Sequence, residues 1–523
     1  MQNFPLTVDR FLDHAAKWFG AREVIACDSN GRIDRAGYAD VRERANLLSG
    51  ALAALGVQPG QRVATLAWNT RHHFEFYYAV MGMGAVCHTL NPRLTVAQLA
   101  AMVNEADDVL LAVSADFAPL AEQLLGQCPG VRHLVVLDGP PGEPWQGGGL
   151  ALEELLAKHG SSVRWGAFDE ETVAGLCYTS GTTGAPKGTE YTHRSNYLHT
   201  LRALGADAVA LTARDTLLLA VPMFHANGWG LPFAAPAAGT RLVLPGRALD
   251  GESLARLIGD EGVTVAVGVQ TVWIGLLDHL ERTGEQVPTL ERVLIGGSNC
   301  PEALVARLAS GLGARVQTSW GMTELSPVGT LSPPGEDAVP GTAGRPPLGI
   351  DLKLTDEHGR TLPQQRGTLG YLKVRGASVV ERYLGAAEHA LDDEGYFDTG
   401  DLATIDEDGN LTIGGRAKDL IKSGGEWINP AEIEAIVGAH PTVRHVAVIA
   451  RPDPKWGERP LMIVEREPAD RSDLRLLLKG RVADWWIPDR VVEVAAMPLA
   501  ATGKIDKGRL RRDHAAEPAG ASA

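Results

Sequence analysis

Cysteine is scarce and scattered in this chain. Cys27, Cys87, Cys128, Cys177 and Cys300 stand among 523 residues without a Cys-x-x-Cys pair, so neither a disulfide framework nor a zinc site is indicated, and a reduced cytoplasmic setting is expected. Positive charge is also short: 49 Lys and Arg against 64 Asp and Glu leave a net charge of -15. Such a surface repels phosphodiester backbones and anionic headgroups, which argues against nucleic acid as a partner. No run reaches about 18 consecutive apolar residues, and Asp9, Arg10 and Asp13 interrupt the N-terminal stretch where a signal peptide needs its apolar segment. Neither export nor a membrane span is expected. Gly-x-Ser-x-Gly and His-Glu-x-x-His are missing too, and Gly82-Met-Gly-Ala-Val-Cys87 lacks the third glycine of a dinucleotide fingerprint.

What is present is an ordinary core-forming composition, 45% hydrophobic and 22% charged. At roughly 150 residues per domain, the length implies three or four packed units or two unequal domains. Tyr38 to Gly56 has the spacing of an amphipathic helix, and QRVATLAW after it reads as a buried strand. RLVLPG, TVAVGV and RVLIGG are short apolar runs with glycine at or next to their ends, separated by helical segments, as repeated βα units require. Ligands collect at the carboxyl ends of strands in such sheets. After about Asp351 the pattern alternates around turn clusters, predicting antiparallel hairpins, and from Asn429 it predicts a separate α+β domain of about a hundred residues.

The most informative segment is Tyr178-Thr-Ser-Gly-Thr-Thr-Gly-Ala-Pro-Lys-Gly188, which follows the apolar TVAGLC. Ser180, Gly181, Thr182, Thr183 and Gly184 offer hydroxyls and unhindered backbone N-H groups, and Lys187 adds a compact positive charge, so the segment reads as a phosphate cradle. It is not a Walker loop, because Ala185 and Pro186 separate Gly184 from Lys187 and Gly188 follows the lysine.

With this loop, further segments in order make the chain resemble the adenylate-forming acyl-CoA synthetases, luciferases and nonribosomal-peptide adenylation domains. They are VPMFH (Val221 to His225), GGSNCP (Gly296 to Pro301), WGMTE (Trp320 to Glu324), GRPPLG (Gly344 to Gly349), YFDTGDLA (Tyr396 to Ala403), GRAKDLIKSGGEWINPAEIE (Gly415 to Glu434) and TGKIDK (Thr502 to Lys507). HTLNPRL, VPMFHANGWG and KSGGEW look most like the branch acting on medium-chain and long-chain fatty acids. The resemblance implies an α/β fold. A large N-terminal domain, 1–415, would consist of layered α/β subdomains plus a small β-barrel within 351–415. A hinge at 416–418 would lead to a mobile α+β lid domain, 419–523.

It also implies roles. Thr182, Thr183 and Lys187, with Ser180, Gly181 and Gly184, hold the β- and γ-phosphates of ATP; Thr323 contacts the α-phosphate, and Glu324 supplies an oxygen to Mg2+. Trp320 and Gly321, with Gly296, Gly297 and Ser298, frame the adenine. Asp401 chelates the ribose hydroxyls, and Arg416 is a second ribose or phosphate contact. Lys504 reaches between the acid and the α-phosphate, where negative charge crowds. His225 lies beside the acyl carboxylate as a positioning group, so Lys504, Thr323 and His225 are the catalytic candidates. Lys418 is the hinge, and Gly424, Gly425 and Glu426 form the loop that the lid presents to the acceptor. The expected substrates are ATP, CoA and a small carboxylic acid, with Mg2+ as the metal.

The chain departs from its relatives at Thr189 and Glu190, where an apolar residue commonly follows the glycine, and at Gln270, commonly proline. With His225, Trp229 and Trp273, Gln270 is expected to line the acyl pocket. A buried amide demands hydrogen-bond partners, so an acid with a ring, carbonyl or hydroxyl is indicated, and the tryptophans argue against very long chains. CoA is the expected acceptor, with Lys422, Arg451, Lys455 and Arg459 as candidates for its phosphorylated head. Transfer to an amine, as in coronafacate-type ligases, and an ATP-binding regulator without catalysis are the alternatives. A homodimer stays open.

Overall fold

Short β-branched and leucine-rich runs become the central strands of two large sheets. The computed structural model describes all residues except 3, 29–30, 140–148, 180–185, 298–299, 301, 337, 425, 468–471, 501–504 and 516–523. One sheet has eight strands, in the order Val328–Leu331, Arg315–Gly321, Arg292–Gly296, Val265–Val269, Thr216–Leu219, Arg241–Leu244, Glu23–Cys27 and Ile33–Gly37. Its inner six strands are parallel and its two edges antiparallel. The other sheet has seven strands, in the order Leu150–Ala151, His133–Val136, Asp108–Val113, Arg62–Leu66, Val86–Thr89, Val173–Tyr178 and Gly188–Thr192, and only the last is antiparallel. All three runs, RLVLPG, TVAVGV and RVLIGG, supply strands of the larger sheet, as their pattern predicts.

Strand parity divides the core. Leu217 and Leu219 face a cluster shared with Val63, Leu110 and Val135 of the other sheet, while Leu218 faces away toward the helices Gly251–Glu261, Gln270–Thr283 and Glu302–Leu312. The helices Asp9–Trp18, Tyr38–Ala54, Arg71–Gly82 and Leu231–Ala238 fill the space between the sheets. That position changes the reading of Tyr38–Ala54: it buries Tyr38, Val41, Ala45, Leu48, Gly50, Ala51 and Leu52 on more than one side instead of a single stripe. A Cβ at Gly50 would lie 2.0 Å from the Ser161 carbonyl oxygen, so only glycine admits that approach.

The β-rich unit is an antiparallel meander of Ile350–Thr355, Gly370–Gly376, Phe397–Ile405 and Leu411–Arg416. Among the described residues its first and last strands do not pair with each other. The last strand instead meets the segment before the first: the Ala343 N-H donates to the Leu411 carbonyl (2.7 Å) and the Leu411 N-H to the Gly344 carbonyl (2.8 Å). The C-terminal unit packs the helices Pro430–Gly438 and Lys507–His514 on a five-stranded sheet whose long hairpin is Val443–Asp453 with Gly457–Arg466. Among the described residues no helix is long and apolar enough to cross a membrane.

Candidate active site

The strands that flank the glycine-rich segment, Val173–Tyr178 and Gly188–Thr192, pair as an antiparallel hairpin. Its base is clasped twice: the Thr179 N-H donates to the Lys187 carbonyl (2.9 Å), and the Lys187 N-H donates to Thr179 Oγ1 (3.0 Å). Ser180, Gly181, Thr182, Thr183 and Gly184 lie outside the described residues, as do Ser298, Gly425 and Lys504. The two polar departures beyond the loop receive separate explanations. Glu190 pairs with Arg62 of the same seven-stranded sheet at 2.7 Å, whereas Thr189 is buried and its hydroxyl has no partner among the described residues.

Beyond the strand Arg315–Gly321, one 3-10 turn carries Thr323 and Glu324, both buried. Three contacts from distant segments hold it: the Tyr191 hydroxyl donates to the Thr323 carbonyl (2.7 Å), the Val380 N-H to the Glu324 carbonyl (2.7 Å), and the Tyr383 hydroxyl to Glu324 Oε1 (2.8 Å). Glu324 Oε2 makes no hydrogen bond to the described residues. Lys187 reaches the same place from the hairpin, its Nζ 4.7 Å from the centre of the Tyr383 ring. Neither tyrosine stands out in the sequence, because each contact spans more than fifty residues.

Trp320 and Asp401 meet directly, indole Nε1 donating to Oδ2 at 3.0 Å. Asp401 and Arg416 are opposite one another in the meander, and Arg416 Nε lies 3.0 Å from Asp401 Oδ1. Arg416 also donates to the Thr399 carbonyl at 2.7 Å. The site thus brings together Lys187, Trp320, Thr323, Glu324, Asp401 and Arg416 from two large sheets and the meander.

Gly296 ends its strand where a Cβ would lie 2.5 Å from Ser319 Oγ and 2.6 Å from the Trp229 ring, and Gly297 follows at φ +90°. Trp229 sits in a run of left-handed residues, Ala226 through Gly230, with φ between 39° and 72°. The run is anchored by Asn227 Oδ1, which accepts from Thr89 Oγ1 (3.1 Å), and by the Ala226 N-H, which donates to Cys177 Sγ (3.2 Å). Burial pushes the Cys177 thiol up to about 11, so it is no nucleophile near neutral pH. His225 precedes the run and is half-buried.

One acyl-pocket expectation, Trp273, is corrected, while Gln270 keeps its place at the start of the same helix. Trp273 lies across the eight-stranded sheet from Trp229: Trp229 packs on the face of Val265, Val267 and Leu294, and Trp273 on the face of Ala266, Val293 and Ile295. It is a fully buried core residue over Gly268, because the first turn of its helix folds back on the sheet's outer face. Gln270 is the first residue of that helix and half-buried, not fully enclosed.

Lys418 is exposed in a 3-10 turn, Ala417–Asp419. Desolvation by the surrounding chain, together with nearby Arg416, Arg511 and Lys507, holds its ammonium below the ordinary range. Asp419 pairs with Arg511 (2.6 Å) and Glu434 with Lys507 (2.7 Å), so the terminal helix is tied to the segment just past 418. Gly424, at φ +62°, donates its N-H to the Trp456 carbonyl and leaves room for that ring, and Glu426 is exposed. Of the cations expected for a phosphorylated head, Arg459 is corrected: it is buried and bound in bidentate fashion by Asp489 at 2.8 and 2.9 Å. Arg451 is buried as well, whereas Lys422 and Lys455 are exposed over the Trp427 and Trp456 rings.

The profile of AMP-binding enzymes matches residues 12–384, and that of the AMP-binding enzyme C-terminal domain matches 432–504. The chain is 42% identical to a 3-methylmercaptopropionyl-CoA ligase of Ruegeria lacuscaerulensis over 98% of both chains. It is 41% identical to a medium-chain-fatty-acid-CoA ligase of Ectopseudomonas oleovorans over 98% of this chain and 97% of the relative. Among solved structures, the anthranilate CoA ligase AuaEII in complex with anthranoyl-AMP superposes with a TM-score of 0.88 at 25% identity, covering 98% of each chain. ATP-bound MatB from Rhodopseudomonas palustris gives 0.87 at 26%, covering 98% and 99%. The o-succinylbenzoate CoA synthetase of Bacillus subtilis, in complex with ATP and magnesium, gives 0.81 at 25%, covering 96% and 99%.

Proposed function

The chain belongs to the AMP-binding enzyme family, and from that premise we propose that it is an AMP-forming acid-thiol ligase: it activates a carboxylic acid with ATP, releases pyrophosphate, and passes the acyl group to CoA. The observation that carries this reading is the convergence of Trp320, Asp401 and Arg416 on one side and Lys187, Thr323 and Glu324 on the other, at strand ends. Adenylation is in-line attack of one anion on another, so the protein's work is charge neutralisation and alignment. Lys187 and the loop hydroxyls serve the outer phosphates, Thr323 the α-phosphate, and Asp401, oriented by Trp320 and Arg416, the ribose. Lys504 serves the crowded charge between acid and α-phosphate.

Glu324 fits a magnesium ion. Its buried carboxylate is fixed through Oε1 and keeps Oε2 free of hydrogen bonds to the described residues. A hard, reluctantly dehydrated cation takes one or two carboxylates plus substrate phosphates and water. When bound, the ion supplies charge neutralisation on the phosphates.

The acid we propose is medium-chain or functionalised, a range that includes 3-methylmercaptopropionate and medium-chain fatty acids, the acids named for two relatives. The half-buried Gln270 and the Trp229 ring against Gly296 support a pocket of limited depth with a polar element. The hinge at 416–418 lets the C-terminal unit exchange Lys504 for the Gly424 loop between half-reactions. Five buried, unpaired cysteines support a cytoplasmic location.

The test offers ATP, Mg2+ and a panel of acids with CoA and amino acids together, and reads the products by mass spectrometry. AMP, pyrophosphate and acyl-CoA are expected. ADP, or no pyrophosphate with any acid, would reject adenylation; N-acyl amino acid without thioester would reject CoA as acceptor.

A further inference from the structure

Lys187 and Glu324 carry opposite charges and approach the same residue, yet no ion pair joins them. Tyr383 stands between. Its ring receives the Lys187 ammonium on one face, 4.7 Å from the centroid, while its hydroxyl donates to Glu324 Oε1 at 2.8 Å. These are distinct poles of one side chain: the ring face is the negative end of a quadrupole, and the O-H is a dipole aimed at an anion. The residue is itself well fixed. Thr189 and Tyr383 form a bridge, the Leu384 N-H donates to the Gly188 carbonyl (2.8 Å), and the Phe397 ring meets the Tyr383 ring edge-on at 6.5 Å.

We propose that Tyr383 is a positioning residue that insulates Lys187 from Glu324, so that the nucleotide-free enzyme presents an open cation and an open carboxylate instead of a closed salt bridge. An ammonium paired with Glu324 would be withdrawn from the phosphates, and the carboxylate would be withdrawn from the metal. Each substrate encounter would then begin by breaking that ion pair. The tyrosine satisfies both charges separately and leaves Oε2 open. This inference rests on the reading of Lys187 and Glu324 as phosphate and metal groups.

Two substitutions separate the poles. Tyr383→Phe keeps the ring face and removes the donor; Tyr383→Ala removes both. ATP binding is measured by calorimetry without any carboxylic acid, first in EDTA and then across a Mg2+ titration, with melting temperatures recorded to confirm folding. For Tyr383→Phe, affinity in EDTA should stay within about twofold of the unsubstituted chain, and the Mg2+ needed for half-maximal binding should rise severalfold as the carboxylate loses its fixed orientation. For Tyr383→Ala, affinity in EDTA should fall at least fivefold. Adding Glu324→Gln should then restore affinity by a larger factor than the same change does in the unsubstituted chain, because only in the Tyr383→Ala background does it release a captured lysine. Superimposable Mg2+ curves for Tyr383→Phe, or an equal gain from Glu324→Gln in both backgrounds, would overturn the proposal and reduce Tyr383 to packing. Failure of the unsubstituted chain to bind ATP would instead overturn the ATP reading on which it rests.

Discussion

The indole of Trp320 donates a hydrogen bond to Asp401 Oδ2 across 81 positions of sequence, at 3.0 Å and between two buried side chains. Asp401 Oδ1 is held at the same time by Arg416, also at 3.0 Å. The carboxylate is therefore oriented from both oxygens, and the aromatic plane is locked to it. A donor to a charged group in a desolvated site contributes about 1.5–3 kcal/mol.

Trp320→Phe should accordingly keep a ring in place but lose this bond, raising the KM for ATP about tenfold in acid-dependent pyrophosphate exchange. Asp401→Ala should cost far more, and adding Trp320→Phe to it should change little further. Additive losses would show that the two residues act independently.

The ion pairs Lys507–Glu434 and Arg511–Asp419 tie the terminal helix to the segment beyond the hinge, and Lys504 stands three residues before Lys507. Lys507→Ala should slow adenylation at least tenfold, yet leave thioester formation from supplied acyl-adenylate within about threefold. Equal slowing of both half-reactions would argue against a lysine placed by this helix.

Gln270 is the first residue of its helix, where proline's fixed φ and missing N-H are tolerated. Gln270→Pro should leave the melting temperature nearly unchanged and shift acid preference toward plain C6 to C10 chains by the one to three kcal/mol (about 5- to 150-fold) typical of a single pocket contact. An unchanged profile across straight, cyclic and thioether acids would place Gln270 outside the pocket.

Three histidines are buried and held neutral by desolvation: His73 is lowered to about 4, His193 to about 3, and His199 well below its ordinary value. Between about pH 6.5 and 4 the unfolded chain binds protons at these positions while the folded chain does not. Stability therefore rises with pH in that window and is lost on acidification, by up to about 1.4 kcal/mol per pH unit for each histidine. Urea unfolding at pH 7.5, 6.5 and 5.5 should show the decline, and His73→Gln should make it shallower by one histidine's share. An identical slope would mean that His73 is already protonated in the folded chain.

Much of this enzyme was legible in its sequence because the relevant signals are local. A glycine after an apolar run marks a strand end, and the chain order of motifs such as WGMTE and TGD, which places the chain in its family, needs no contact to be read. Tertiary structure alone decided the rest. Trp229 and Trp273 lie on opposite sides of the eight-stranded sheet because one follows a left-handed turn into the space between the sheets and the other a helix packed outside, a difference that spacing does not reveal. Arg459 looks like any surface cation until Asp489 closes on it. Tyr383 shows no motif of its own, since its role arises only when the meander places it between the hairpin and the Thr323–Leu325 turn. Backbone conformation depends chiefly on neighbouring residues, whereas the meeting of distant side chains depends on which strands pair and in what register, and that is fixed only when the whole chain packs.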